Sequence, residues 1–180
     1  MLGNEQQNIE IKVRLNETDY RRIQENMGSF VTGTGDTSTD VDTYFCVPHG
    51  RLKLRVSDDQ RSGTLIYYER PDEVSSRLSH YRLVSIPDAR ALREALAEAL
   101  GVLVTIRKRR TVFIYGATRI HFDDVEGLGR FVELETVIGS QGHDAALTEH
   151  HFVIDMLGLN AGEIVPQSYS DLLLQRDPSA

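Results

Sequence analysis

The chain has 180 residues, of which 40% are hydrophobic and 26% charged, and its formal net charge is −7 at pH 7. This length fits one domain with a substantial core, and the composition excludes collagen, a disordered acidic tail and a disulfide scaffold. The excess of acidic over basic residues argues against a nucleic-acid partner, and no apolar run reaches the roughly 18 residues of a membrane span.

The N-terminal residues lack the hydrophobic core of a signal peptide, so export is not expected. Cys46 is the single cysteine and has no partner for an internal disulfide. A reducing cytoplasm is therefore the expected location.

Hydrophobic periodicity predicts eight strands and three helices along the chain. The predicted elements are, in order, strand 8–15, helix 16–27, a polar loop over 28–42, strands 40–47, 51–57, 63–70 and 79–86, helix 88–100, strands 102–114, 117–125 and 130–138, helix 144–157, and a closing turn at 168–174. Many strands with few helices predict an α+β fold in which an eight-stranded antiparallel barrel, closed or nearly closed, has its helices packed outside. One domain is expected over 1–180, with a core of about 8–174.

Within these strands, charged and apolar side chains alternate, so each strand has one charged face and one apolar face. In NIEIKVRL, for example, Glu10, Lys12 and Arg14 share a face opposite Ile9 and Ile11. A solvated outer face explains any one such strand. The recurrence on at least five strands, with basic pairs on some and carboxylate pairs on others, favours a barrel whose charged faces line a tunnel.

The predicted tunnel lining has more basic than acidic residues. The basic members are Lys12, Arg14, Lys53, Arg55, Arg70, Arg82, Lys108, Arg110 and Arg119, and the acidic members are Glu10, Asp123, Glu133 and Glu135. A cationic interior requires a polyanion, because unpaired buried charge is costly. Carboxylates on neighbouring strands suit Mg²⁺ or Mn²⁺ held together with substrate phosphates. The residues alone therefore predict a barrel that binds a multi-phosphate anion and a divalent metal.

The same residues resemble, in order, the motifs of the CYTH domain, the triphosphate-tunnel fold shared by class IV adenylyl cyclases and thiamine triphosphatases. The matching segments are NIEIKVR at 8–14, DTYF at 42–45, GRLKLR at 50–55, YYERP at 67–71, KRRTVF at 108–113, RIHFDDVEGLG at 119–129 and FVELE at 131–135. The segment GLGRFVELE and the closing SYSDLL resemble the cyclase-like branch more than the thiamine triphosphatase branch.

The resemblance implies a role for most of the predicted lining. It assigns metal binding to Glu10, Glu133 and Glu135, with Asp123 as the pore aspartate and a fourth candidate ligand. It assigns the grip on the triphosphate to Lys12, Lys53, Arg55, Arg70, Lys108 and Arg110. Of these, Lys12, Arg55 and Arg110 are the candidates for catalytic contacts to the transferring phosphoryl group. For Arg14, Arg82 and Arg119, only the alternation of side chains along a strand supports a place in the tunnel lining.

One residue departs from the family pattern. Asn8 stands where the ExExK motif has its first glutamate. An amide oxygen can coordinate a cation, but it carries no charge and cannot act as a base. This departure puts hydrolysis in doubt more than binding.

Three functions stay open at this point. The implied substrate is ATP, tripolyphosphate or thiamine triphosphate, which a cyclase or a triphosphatase would convert and a non-catalytic sensor would only bind. His121 shares the face of Asp123 and could contact phosphate or metal, although a structural or solvated histidine is the commoner case. Tyr44, Phe45, Tyr67 and Tyr68 are candidates for stacking on a base, although strand aromatics are more often core residues. A homodimer is possible, but the sequence identifies no surface for it.

Overall fold

The computed structural model describes residues 6–31, 35–57, 61–73 and 75–176. Its elements are β1 (Gln6–Leu15), α1 (Glu17–Asn26), β2 (Asp36–Phe45), β3 (Arg51–Ser57), β4 (Gly63–Glu69), β5 (Arg77–Ile86), α2 (Ala89–Leu100), β6 (Val102–Tyr115), β7 (Thr118–Val125), β8 (Gly129–Val137), α3 (His143–Leu157), β9 (Glu163–Ile164) and α4 (Tyr169–Arg176). Short 3₁₀ turns occupy Met27–Ser29, Gly139–Gln141 and Leu159–Ala161.

Eight of these strands close into a barrel. Their hydrogen-bonded order is β5-β4-β3-β2-β6-β7-β8-β1, and β1 pairs in turn with β5, from Gln6 opposite Tyr81 to Glu10 opposite Arg77. Each neighbouring pair in this ring is antiparallel. The short β9 adds to β1, where Val13 lies opposite Ile164. The predicted α+β fold with an eight-stranded antiparallel barrel is confirmed.

The outer face of the barrel is apolar and carries the main core. Ile11 on β1 and Phe122 on β7 pack with Ile23 of α1 and Val153 of α3. On the opposite side, Leu54 of β3 belongs to a cluster that includes the underside of α2. Each fully buried aliphatic or aromatic side chain contributes about 1.5–3 kcal/mol. Because successive strand residues alternate between faces, this outer core directs the polar residues inward.

A third apolar cluster lies inside the barrel, at the end where β8 begins. Phe131 faces inward there, and its ring centroid lies 5.0 Å from that of Tyr169 on α4. Val165 and Tyr169 belong to the same buried cluster as Tyr44 and Tyr68. The C-terminal segment and α4 therefore close this end of the tunnel with apolar contacts.

Side chains cap the first two helices. Asn16 Oδ1 accepts a hydrogen bond from the backbone N–H of Asp19 at 2.9 Å, and Asp88 Oδ1 accepts one from Ala91 at 3.1 Å. Such caps satisfy orphan N–H groups at a helix start. Among the helices of the described ranges, none combines the length and the hydrophobicity that crossing a membrane requires.

The start of β2 is a correction to the sequence prediction. The predicted polar loop extends to residue 42, whereas β2 begins at Asp36; residues 32–34 of that loop lie outside the described ranges. Serine, threonine and aspartate favour a loop over a strand whose side chains would face an apolar core. Here the barrel interior is itself polar, so a polar segment can form a strand.

Gly63 gives a test of how tightly β4 packs beneath α2. A Cβ atom on Gly63 would lie 2.6 Å from the carbonyl oxygen of Arg55 and 2.9 Å from the Cβ of Ala89. We expect Gly63→Ala to lower the free energy of unfolding by about 1–3 kcal/mol, because the strand must shift to relieve the overlap. Thermal and denaturant unfolding measure this change.

Gly28→Ala is the matched control, since a Cβ atom at Gly28 would have no neighbour within 4 Å. The control is expected to leave stability unchanged within about 0.5 kcal/mol or to raise it slightly. Equal stabilities of the two variants would contradict this packing account.

Candidate functional site

The inward faces of the strands enclose a cavity of about 400 Å³. Its lining contains seven of the predicted basic residues, namely Lys12, Lys53, Arg55, Arg70, Lys108, Arg110 and Arg119. It also contains three of the predicted acids, Glu10, Glu133 and Glu135. Strand alternation therefore brings most of the residues selected from the sequence into one tunnel.

Asp42 on β2 is the anchor for the basic residues of one tunnel wall. Its carboxylate accepts hydrogen bonds from Lys53 Nζ at 3.0 Å and Lys108 Nζ at 2.8 Å. Arg55 donates to both oxygens, through Nε at 2.7 Å and Nη2 at 2.9 Å. Burial alone would raise the pKa of Asp42, but the charges of Arg55, Lys108 and Lys53 outweigh it and hold the pKa well below its usual value. Asp42 therefore stays ionised and fixes the positions of three cations.

Asp123 on β7 fixes Arg110 in the same way. Arg110 donates through Nε at 2.6 Å and Nη2 at 2.5 Å, and the hydroxyl of Tyr169 donates at 2.8 Å. The carboxylate is fully buried and both its oxygens are occupied. The structure thus places Asp123 behind Arg110, outside the group of ligand atoms formed by His121, Glu133 and Glu135. Its metal role stays a prediction.

The other three acids face the cavity from the adjoining strands β1 and β8, and β7 lies on the far side of β8. The register forms two cross-strand rows, Glu10–Glu135–Arg119 and Lys12–Glu133–His121. Cross-strand neighbours have Cβ atoms about 4.5–5.5 Å apart, so their side chains interact directly. Each row therefore sets a carboxylate of β8 beside a cationic side chain.

Glu133 and Glu135 form a compact group of ligand atoms with His121. The Nδ1 atom of His121 lies 3.9 Å from an oxygen of Glu133 and 3.8 Å from an oxygen of Glu135. The three candidate ligand atoms all lie within 4.8 Å of one another, and His121 is buried. Oxygen and imidazole ligands at this spacing fit one divalent cation after small side-chain movements.

Glu10 is held by two guanidinium groups. Arg70 Nε lies 3.1 Å and Arg77 Nε 3.2 Å from the same carboxylate oxygen. Burial is the largest influence on Glu10, and with the nearby charges of Glu133 and Glu135 it raises the pKa of Glu10 despite Arg70. Sequence reasoning missed Arg77, although it shares the inward parity of Ser79 and Tyr81 on β5.

Two predicted lining residues lie elsewhere, and both are corrections. Arg82 lies opposite Tyr67 in the β4–β5 register, on the outer face, while the next pair, Tyr68 and Tyr81, lines the cavity. On β5 the series that faces the cavity is Ser79, Tyr81 and Leu83, so the rule that the charged face of a strand points inward does not hold for Arg82. Arg14 lies outside the cavity, beyond the apolar cluster that closes one end of the tunnel. Its Cζ atom lies 4.8 Å from the ring centroid of Phe131, and its Nε atom lies 3.4 Å from a carboxylate oxygen of Glu163.

Two aspartates of β2 change the charge balance that the sequence predicts. Asp40 lines the cavity and Asp42 lies just behind it. Asp40 and Asp42 are two residues apart, so a strand prediction for the segment DTSTDVD would have placed both on the inward face. Most tunnel cations consequently have a carboxylate partner, so the interior is closer to neutral than the sequence suggests.

The C-terminal segment braces the tunnel from its closed end. Lys12 Nζ donates to the carbonyl of Gln167 at 2.9 Å, and Arg70 Nη1 donates to that of Pro166 at 3.0 Å. The backbone N–H of Val165 donates to the carbonyl of Lys12 at 2.9 Å. Residues 165–169 therefore position basic side chains that come from strands far away in sequence.

Comparison with known proteins agrees with this architecture. The family model described as CYTH domain matches residues 6–169. The chain belongs to the CYTH domain family. A comparison with curated proteins finds no match.

Solved structures share the fold of this CYTH protein. A Pyrococcus horikoshii protein is 24% identical, with a TM-score of 0.76 and coverage of 92% of this chain and 98% of its own. A candidate adenylate cyclase from Vibrio parahaemolyticus is 17% identical, with a TM-score of 0.67 and coverage of 93% and 98%. The RNA triphosphatase domain of a mimivirus mRNA capping enzyme is 11% identical, with a TM-score of 0.57 and coverage of 87% and 90%. At these identities the likeness shows the fold alone.

Asp42→Asn tests whether this carboxylate stabilises the cationic wall. Because the change leaves the buried Lys108 and the half-buried Lys53 and Arg55 without their shared counter-charge, we expect a loss of about 3–5 kcal/mol in the free energy of unfolding. Inorganic tripolyphosphate should raise the melting temperature of the variant by more than that of the wild type, since the anion replaces the lost charge. Asp36→Asn, at an exposed position on the same strand, is the control and should change neither quantity.

The pH dependence of anion binding should report Lys108. Burial, assisted by Arg55 and opposed by Asp42, lowers the pKa of Lys108 to about 7. A bound polyanion favours the protonated amine, so binding takes up a proton above pH 7. We expect the affinity for tripolyphosphate to fall from pH 7 to pH 9 more steeply in the wild type than in Lys108→Arg, by up to about tenfold per pH unit. Calorimetric titrations across this range measure both slopes, and parallel slopes would contradict the assignment.

Proposed function

We propose that this protein is a divalent-metal-dependent phosphoryl-transfer enzyme whose substrate carries a triphosphate, with conversion of ATP to cyclic AMP and pyrophosphate as its leading activity. The observation that carries the proposal is the tunnel itself. Seven cationic side chains surround a cavity of about 400 Å³, and a carboxylate and histidine group occupies one wall. Such a site complements a polyanion with a bound cation.

Arg55 and Arg110 are the residues best placed to neutralise charge on a transferring phosphoryl group. A guanidinium has five N–H donors, and the bidentate pairs with Asp42 and Asp123 each use two groups of the fork. The remaining donors keep a fixed direction, because the fork cannot rotate without breaking both bonds. Preorganised donors of this kind account for much of phosphoryl-transfer catalysis.

Lys12 would act from the closed side of the cavity. Its amine is buried, lies 3.6 Å from Glu133 and 4.2 Å from the ring centroid of Tyr169, and donates to Gln167. Burial lowers the pKa of Lys12 to about 8. The amine is still mainly protonated at neutral pH and presents a charge to a phosphate in front of it.

The residues that would hold the metal are Glu133 and Glu135, with Glu10 in the neighbouring register position. The mutual distances of the ligand atoms of Glu133, Glu135 and His121, all within 4.8 Å, support this assignment. When bound, such an ion neutralises phosphate charge and acts as a Lewis acid. Arg110 and Arg119 each lie 2.8 Å from one of these carboxylates and keep it ionised and oriented.

The size and lining of the cavity favour a substrate with an organic part. Whole small molecules occupy pockets of about 300–1,000 Å³, and this cavity falls within that range. Apolar side chains of Ile66, Leu83 and Val112 contribute to its wall. These features support a nucleoside triphosphate, whose 3′-hydroxyl would attack the α-phosphate, losing its proton as pyrophosphate leaves.

Two other functions use the same tunnel. Inorganic triphosphatase or thiamine triphosphatase activity would need only the phosphate grip and an activated water. A non-catalytic polyphosphate or nucleotide sensor is favoured by one observation, the neutral Asn8 at the position of a family glutamate. Its Oδ1 atom is buried in the cavity wall without a hydrogen-bond partner in the described chain.

A product assay separates these functions. The purified protein is incubated with ATP, tripolyphosphate or thiamine triphosphate, each with Mg²⁺ or Mn²⁺, and the products are resolved by ion-exchange chromatography. Cyclic AMP with pyrophosphate supports the cyclase. Orthophosphate would establish a hydrolase instead, and binding without product would leave the sensor.

The double substitution Glu133→Gln and Glu135→Gln tests the metal assignment. We expect metal-dependent turnover to fall by about 100-fold or more, because the ion loses both charged ligands of β8. Circular dichroism and the melting temperature should still report a folded barrel. Glu98→Gln, on the exposed side of α2, is the matched control and should keep full activity; equal rates in both proteins would refute the assignment.

A further inference from the structure

His121 occupies an unusual position for a histidine in a tunnel that binds phosphate. Its side chain is buried among carboxylates, with only 6% of its surface exposed. Its Nδ1 atom has no hydrogen-bond partner within the described chain. A buried ring nitrogen without a partner is costly unless something absent from the protein itself satisfies it.

The surroundings of this nitrogen suit a cation. Its distances of 3.9 Å to Glu133 and 3.8 Å to Glu135 are too long for hydrogen bonds. Two ligands about 2.1 Å from one ion lie at most about 4.2 Å apart, so both distances match a pair of ligands sharing an ion. The two carboxylate oxygens of Glu135 have different neighbours. Oε2 lies 2.8 Å from Nη2 of Arg119, and Oε1 faces His121.

Asn8 lowers the charge of the same region. It lines the cavity on β1, next to Glu10 in the inward series, and its buried Oδ1 has no hydrogen-bond partner in the described residues. Meanwhile Arg110 and Lys12 already offset the charge of Glu133. The carboxylate charge left to hold a hard cation is therefore small, which favours an ion that also accepts a neutral nitrogen ligand.

We propose that His121 Nδ1 is a direct metal ligand with Glu133 and Glu135, and that this ligand set makes the tunnel select a first-row transition ion such as Mn²⁺ over Mg²⁺. The inference rests on the proposed function, because it concerns the metal of that same site. Mg²⁺ prefers oxygen ligands and retained waters, whereas imidazole suits transition ions, and Mn²⁺ accepts carboxylate and imidazole together.

His121 has another role to exclude, that of a hydrogen-bond donor to a substrate phosphate. In that case the ring would contact the phosphate and not the metal ion, and metal selectivity would not depend on His121.

A nitrogen bound directly to Mn²⁺ is observable, because Mn²⁺ is paramagnetic and its coupling to ¹⁴N differs from its coupling to ¹⁵N.

The test is pulsed electron paramagnetic resonance of the full-length protein loaded with Mn²⁺, with and without inorganic tripolyphosphate. We expect nitrogen modulation from a bound imidazole, which changes pattern when the protein is labelled with ¹⁵N-histidine. The wild type suffices for this measurement, so a variant that fails to fold does not affect it. In His121→Asn the modulation should vanish, while in His143→Asn, at an exposed position on α3, it should persist.

Calorimetry of the same proteins with Mn²⁺ and Mg²⁺ measures selectivity. We expect His121→Asn to weaken Mn²⁺ binding by about tenfold or more and Mg²⁺ binding by less than about twofold. Mn²⁺ bound without nitrogen modulation, or equal losses for both ions, would overturn the proposal and leave the phosphoryl-transfer function standing. Modulation in a protein that turns over no triphosphate would keep the ligand assignment and refute the enzyme.

Discussion

Ion pairing inside the barrel is the interaction on which the rest of this structure depends. The outer face carries the apolar core, so the inner face must hold charge without the help of bulk water. Asp42 and Asp123 make this feasible, because Asp42 accepts hydrogen bonds from three basic side chains on adjoining strands and Asp123 accepts two from Arg110. Removing one partner from such a group is far more costly than the pair is stabilising. The register of the sheet is thereby constrained by electrostatics as well as by the outer core.

The same pairs prepare the site for its ligand. An arginine held at two points by a carboxylate has lost its side-chain freedom before any anion arrives, so less entropy is lost on binding. The near balance of charge also explains how the barrel remains folded with many cations on its inner face. The cavity of about 400 Å³ is therefore lined by directed donors and has no large excess of positive charge.

Contacts across long sequence separations assemble the tunnel. The carbonyls of Pro166 and Gln167 accept from Arg70 and Lys12, and Tyr169 completes the shell of Asp123. This CYTH chain shares its fold, at low identity, with a candidate cyclase and an RNA triphosphatase domain. Function in such a fold depends on the few side chains at the cavity. In this chain Asn8 and His121 line the cavity, and each has a buried polar atom without a hydrogen-bond partner among the described residues.

Local sequence patterns predict the strand periodicity, the three long helices and the inward direction of most tunnel residues, because alternation in a strand is local information. These patterns misplace Arg82, because on β5 the series with Tyr81 and Leu83 faces the cavity. They also end the polar loop too late, because the polar residues of β2 face a polar barrel interior that the local sequence does not reveal. The sequence does not show that both oxygens of Asp123 accept hydrogen bonds from Arg110 and Tyr169, or that Arg77 forms an ion pair with Glu10. Those facts depend on the closure of β1 against β5 and on the return of the C-terminal segment. Both are contacts between residues distant in the chain, and only tertiary packing decides their partners.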